Sequence, residues 1–142
     1  MSMVRSAPTR ELPTDTLYAI LRLRAEVFVV EQECAYLDPD GRDLEPQCAQ
    51  LWIEDEGAVV ATARVLPEPD GVRIGRVCTA PGARSRGLAS EIVGAAIEIA
   101  GDGPVFIDAQ SRLVDWYATF GFAATGREFV EDGIHHTEMR RS

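Results

Sequence analysis

Between Pro13 and Gln32 the apolar residues Leu17, Ile20, Leu21 and Phe28 recur at helical spacing, and Arg24 occupies a place in the same stripe. The spacing predicts one helix over 13–32, with Thr14 or Asp15 able to cap its start. The periodicity breaks at "YLDPDGRDLEPQ", a loop by its Asp, Pro and Gly content. "AQLWIE", "AVVATARVL" and "VRIGRVCT" then read as strands, and Asp70-Gly71 between the last two signals a hairpin. Gly87 to Ala100 reads as a second helix with Leu88, Ile92, Ala95, Ala96 and Ile99 on one face. Gly94 inside that helix costs about 1 kcal/mol against Ala, which implies close packing on a sheet. "VFIDAQ" predicts a buried strand. After it Ser111 can cap a short helix carrying Leu113, Trp116, Tyr117 and Phe120. "FAATGREFV" and "IHHTEMR" flank Asp132-Gly133, a second hairpin signal. The elements describe one mixed α/β domain over residues 1–142.

Composition narrows the function classes. No apolar run reaches the ~18 residues of a membrane span, and the first fifteen residues lack the apolar stretch of a signal peptide. A cytoplasmic protein with no membrane partner is expected. The net charge of −9 argues against nucleic acid as a partner. Cys34, Cys48 and Cys78 are odd in number, form no CxxC pair and read as buried thiols. The charge is uneven. Glu26, Glu31, Glu33, Asp38, Asp40, Asp43 and Glu45 cluster against Arg42 alone, whereas Arg73, Arg76, Arg84 and Arg86 lie in a stretch without acids. One segment is thus expected to attract cations and the other anions.

"APGARSRGLAS" lies where a strand gives way to a helix. Gly82 and Gly87 have phosphate-loop spacing, but Leu88 and Ala89 stand where Lys and Ser or Thr would serve a metal nucleotide. "GDG" at 101–103 follows a helix and makes a poor dinucleotide fingerprint. What is left is a helix N-terminus with free amides, a glycine that permits close approach, and Arg84 and Arg86 at its rim. That combination suits a pyrophosphate without a metal. His135 and His136, adjacent on a strand, face opposite sides and so do not share a metal; no metal site is expected.

The same stretch resembles the acetyl-CoA signature of the GNAT N-acetyltransferases, R/Q-x-x-G-x-G/A, here Arg84, Ser85, Arg86, Gly87, Leu88 and Ala89. "LYAILRLRAEVFVVEQ", "YLDPDGRDL", "WYATFGF" and "EDGIHHTEM" extend the resemblance over nearly the full chain, nearest its ElaA-like branch. The resemblance implies a twisted mixed sheet flanked by helices, and acetyl-CoA as co-substrate. Val77, Cys78 and Thr79 would hold the pantetheine arm through their backbone, and the amides from Arg84 to Ala89 the pyrophosphate. Tyr117 would act as general acid. Gln110 stands where the family commonly has Asn. Glu26, Phe28, Glu31 and His136 are acceptor-site candidates, Glu26, Glu31 and His136 also as bases. The expected reaction is acetyl transfer to a small or peptidic primary amine, with a cationic amine favoured by the acidic segment. A non-catalytic acyl-CoA-binding module on the same fold is the alternative. The hairpins offer edges through which two copies could pair as a homodimer.

Overall fold

The computed structural model describes residues 3–142. Seven strands form one sheet: β1 Val4–Pro8, β2 Ala49–Asp55, β3 Ala58–Glu68, β4 Gly71–Thr79, β5 Val105–Gln110, β6 Ala123–Glu131 and β7 Ile134–Arg141. Their order is β1-β2-β3-β4-β5-β7-β6. All neighbours are antiparallel except β4 and β5. That parallel pair requires a crossover, which α2, Leu88–Ala100, supplies. Helix α1, Thr14–Arg24, joins β1 to β2, and the short α3, Val114–Ala118, follows β5. Among the described residues no helix is long and apolar enough to cross a membrane.

The period of two along each strand divides the core. Leu51, Ile53, Ala61, Ala63, Val65 and Ile74 join Ile92, Val93 and Ala96 of α2 in one buried cluster. Gln50, Thr62 and Arg64 fall on alternate positions and project toward α1. That second face is polar at its centre. Arg24 is completely buried there. Its Nε donates to Asp38 Oδ2 at 2.8 Å and its Nη1 to Asp43 Oδ1 at 2.7 Å. Arg64 donates to both Asp40 oxygens, at 2.9 and 2.7 Å, and Gln50 Nε2 to Asp43 Oδ1 at 2.8 Å. The helical stripe thus includes an arginine because the loop after the helix folds back and supplies its carboxylates.

Five sequence expectations are revised. The helix expected over 13–32 is α-helical only to Arg24; Ala25–Glu31 forms a π-helix. Gln32 N bonds Val27 O, and Cys34 N bonds Val29 O, each five residues back. Pro13 precedes the helix with no side-chain cap, so neither Thr14 nor Asp15 performs that role. Ser111 caps nothing either; its Oγ lies 2.8 Å from Thr137 Oγ1, and Ser111–Leu113 is a 3-10 turn leading into α3. The β1 strand, "VRSAP", was not expected, because its short sequence carries no alternation and only pairing with β2 makes it a strand. A Cβ on Gly94 would meet nothing within 4 Å, so no close packing accounts for that glycine. Gly71 is the glycine that does permit contact, since a Cβ there would stand 2.3 Å from Pro104 O. Asp132 and Gly133 both take positive φ, as the two-residue hairpin requires.

Two outcomes follow from the buried cluster. Arg24→Met removes the guanidinium that Asp38 and Asp43 share and leaves them only Arg76 and Arg64 as cations; urea unfolding should show a loss of about 3–5 kcal/mol. The second concerns acid. Burial alone would raise the Asp43 pKa, but the Arg24 hydrogen bond and the Arg24 and Arg64 charges outweigh it and hold it low. Hydrogen bonds from Arg64 hold Asp40 below the usual carboxylate range. Depressed folded-state pKa values stabilise fully above the unfolded carboxylate pKa, about 4, and that stabilisation fades as pH falls below it. The urea midpoint should therefore drop below pH about 4, and more shallowly in Arg24→Met.

Candidate active site

Strands β4 and β5 stay together only where Val72, Arg73 and Ile74 face Val105, Phe106 and Ile107. Beyond Ile74, β4 continues along β3 to Thr79, while β5 remains paired with β7 to Gln110. The two strands part, and a cleft of about 670 Å³ opens between them. A bulge in β4 accompanies the parting. Thr62 faces Cys78 and Arg64 faces Gly75, so β4 carries one residue more than β3. Arg76 at the bulge has φ +51°, a conformation that costs a non-glycine residue roughly 1–2 kcal/mol. It is held in place by Asp38, whose Oδ1 lies 2.8 Å from Arg76 Nε.

The parting leaves backbone groups of β4 without a strand to bond. Ala80 N donates to Val60 O on the β3 side. Because polar groups alternate along a strand, those of Val77 and Thr79 face the cleft. Val77, Cys78 and Thr79 all line it. Cys78 contributes backbone and bulk only: its thiol is buried, and burial pushes its pKa up to about 12. All three cysteines are free and buried, as their number and spacing suggested.

At the end of β4 the chain turns through Ser85 and Gly87, both at positive φ, and enters α2 at Leu88. No side chain caps this helix. Its first amides therefore face outward with the positive end of the helix dipole. A recess of about 210 Å³ lies over them, lined by Arg84, Ser85, Gly87, Leu88, Ala89 and Trp116 among others. A Cβ on Gly87 would meet no protein atom within 4 Å. Thr79, Arg84, Ala89 and Trp116 line this recess and the larger cleft alike, so the two adjoin. Arg86 stands outside both, paired with Asp55 at 3.0 Å.

Tyr117 of α3 reaches the cleft from the β5 side and is 5 % exposed. Burial pushes its pKa up to about 12, with Arg112 opposing weakly, so the phenol stays protonated at neutral pH. Its ring packs edge-on against Trp116 and Phe122, with centroids 4.8 and 6.1 Å away. Gln110 spans the floor of the cleft: Nε2 donates to Gln32 Oε1 at 3.4 Å, and Oε1 accepts from Arg112 at 3.0 Å. His136 lines the cleft opposite and stacks on Phe129 at 5.2 Å. Its Nδ1 lies 2.9 Å from Ile134 O. A carbonyl only accepts, so Nδ1 carries the hydrogen, and in the neutral ring the lone pair falls on Nε2.

The π-helix brings Val27, Phe28, Glu31 and Gln32 to the cleft together. Bonding to the fifth residue takes more residues per turn, which gathers these four on a narrower arc than an α-helix would. Glu26 points to solvent and does not reach the cleft. The two charge runs also prove to be partners in part, through Arg76 and Arg84, while Arg73 and Arg86 pair with acids outside the acidic run. Arg73 meets Glu68, Asp108 and Glu138; Arg76 meets Asp38 and Asp40; Arg84 meets Glu31. Four of the seven acids thus pair with Arg24, Arg64, Arg76 or Arg84, and Glu45 pairs with Arg42. Trp116, Arg112, Tyr36 and Asp132 line the cleft without having been expected there. For Trp116 the one available signal was its adjacency to Tyr117 on a short helix.

This geometry has close counterparts. A family model described as an acetyltransferase (GNAT) domain matches residues 30–142. A UPF0039 protein of Mycobacterium tuberculosis is 43 % identical over 143 residues, covering 97 % of this chain and 92 % of the relative. Protein ElaA of Escherichia coli is 38 % identical over 140 residues, covering 92 % of this chain and 90 % of ElaA. Its crystal structure superposes with a TM-score of 0.93 over the whole of both chains. An acyl-CoA N-acyltransferase from Pseudomonas aeruginosa, 36 % identical, superposes with a TM-score of 0.95, also over both whole chains. The fold is therefore shared with these relatives, and the chain belongs to the GNAT acetyltransferase family.

Proposed function

We propose that the protein is an acetyl-CoA-dependent N-acetyltransferase that acts on primary amines by direct attack on the thioester. The observation that carries this reading is the continuity of the recess over α2 with the β4–β5 cleft, which leads from an anion seat to the Tyr117 phenol. The amides of Leu88 and Ala89, with Gly87 open above them, suit a pyrophosphate. The edge of β4 at Val77 and Thr79 suits the amide groups of a pantetheine arm. The same edge offers an N–H to the thioester carbonyl as its oxygen gains charge.

In the reaction the amine nitrogen attacks the carbonyl carbon. The C–N bond forms, the C–S bond breaks, and the thiolate takes the proton of the Tyr117 hydroxyl. His136 Nε2, with its lone pair free, is the base in this reading and accepts the proton lost by the amine. Phe28 and Glu31 border the acceptor side. The cleft acids Glu131 and Asp132 form no ion pair among the described residues, and they supply the attraction for a cationic amine that Asp38, Asp40 and Asp43, already paired, do not.

A panel of primary amines with acetyl-CoA, read by CoA release and product mass, tests the proposal; binding of CoA without turnover on any amine would favour the non-catalytic module instead. On an amine that is acetylated, Tyr117→Phe should lower turnover roughly 10²–10⁴-fold with CoA affinity little changed. Wild-type turnover in that variant would remove the phenol from the chemistry. Gly87→Val puts a β-branched residue at φ +76° and into the open recess. Calorimetry should show CoA binding at least about tenfold weaker, alongside a stability loss of about 1–2 kcal/mol.

A further inference from the structure

Arg84 is the side chain that lies between the two parts of the site. It lines both the recess over α2 and the larger cleft. Its Nε donates to Thr79 O at 3.2 Å, which lays the side chain along the open edge of β4. Its two terminal nitrogens are taken by Glu31, with Nη1 to Oε2 at 2.6 Å and Nη2 to Oε1 closing the fork. The pair therefore joins the last residue of the π-helix to the phosphate loop across the path between recess and cleft.

Glu31 is an anion in an anion's place. Besides Arg84, it feels the positive charge of Arg112, which lines the same cleft and forms no ion pair among the described residues. Both members of the Arg84–Glu31 pair are about two-fifths exposed, with side-chain values of 43 % and 39 %. The bidentate geometry favours the pair, but its exposure lets water and salt screen it. A pyrophosphate offers the same guanidinium more negative charge and more acceptor oxygens, together with the amides of α2.

We infer that Glu31 is the resident counter-anion of the phosphate seat, and that the cofactor's pyrophosphate displaces it from Arg84. This inference rests on the acyl-CoA reading above and adds an exchange to it. In the exchanged state Arg84 serves the cofactor, and the Glu31 carboxylate is released on the acceptor side of the cleft. Glu31 is then a positioning residue that resists cofactor entry, the opposite of a strap that shapes the seat.

The two roles differ in the sign of one measurement. CoA binding to the full chain is followed by calorimetry at fixed ionic strength, for wild type, Glu31→Gln, Arg84→Ala and the double variant. Glu31→Ala serves as a second test of the carboxylate, and inorganic pyrophosphate as a minimal probe. Exchange predicts CoA binding roughly 3–10-fold tighter in Glu31→Gln and Glu31→Ala, about tenfold or more weaker in Arg84→Ala, and no gain from Glu31→Gln once Arg84 is absent. Pyrophosphate should follow the same order. Unchanged or weaker CoA binding in the Glu31 variants would overturn the exchange, and so would a gain that persists without Arg84. If wild type binds CoA and Arg84→Ala weakens it while the Glu31 variants do not tighten it, the exchange alone fails. If wild type binds no CoA, the acyl-CoA reading fails with it.

Discussion

The architecture depends on a charge that has no access to water. Arg24 is fully enclosed beneath the sheet, and a buried guanidinium is tolerable only when carboxylates surround it. Asp38 and Asp43 provide them, and both come from the irregular segment after the π-helix. That segment contains few apolar side chains that could anchor it, so the ion pairs to Arg24 and Arg64 hold it against the sheet. Asp38 then carries the constraint one step further. Its second oxygen contacts Arg76, the residue at the strained bulge of β4. The carboxylate that neutralises the buried arginine thereby also secures the bulge beside which the cleft opens.

Function follows from the separation of two strands. A parallel pair closed along its length would bury the polar edge of β4 and leave no room for a ligand. Here the pairing lasts three residues, and the strands part beyond Ile74. The cleft gains an edge of backbone donors and acceptors from β4, a protonated phenol from α3 and an imidazole from β7. The recess at the start of α2 extends it over the uncapped amides of that helix. No catalytic metal is invoked in this arrangement. Lining it are peptide dipoles, a phenol that burial keeps protonated and an imidazole whose tautomer a backbone hydrogen bond selects.

The π-helical turn is the device that connects the two ends of the site. It departs from α-helical geometry one residue after Arg24, where the helix is fixed by its buried ion pairs. Val27 joins the small apolar cluster with Leu23 and Cys78, and with Phe28, Glu31 and Gln32 it also lines the cleft. Glu31 meets Arg84 there, and Gln32 meets Gln110. One local change in helical winding thus sets contacts to both the loop before α2 and the floor of the cleft.

Much of this was present in the order of residues. Alternation and turn chemistry located β2 through β7: β2 to β5 and β7 carry apolar residues that must be buried, and β6, almost wholly exposed, was marked by the hairpin at Asp132-Gly133. The run from Arg84 to Ala89 marked a helix start suited to an anion, since glycine and free amides are local properties. The sequence by itself did not determine how charges pair. Asp38 and Asp43 lie fourteen and nineteen residues from Arg24, and Arg84 lies fifty-three from Glu31, so the acidic run and the arginine run looked like separate surfaces until the chain brought them together. Nor did it reveal β1, whose existence depends on an edge of β2, or the π-helix, which an apolar stripe of helical spacing does not distinguish from α. Local chemistry settled which segments are strands and which are helices; the choice of partners across long separations, on which the cleft and its charges depend, belongs to the tertiary structure, because Coulomb and hydrogen-bond partners are selected by proximity in space and not along the chain.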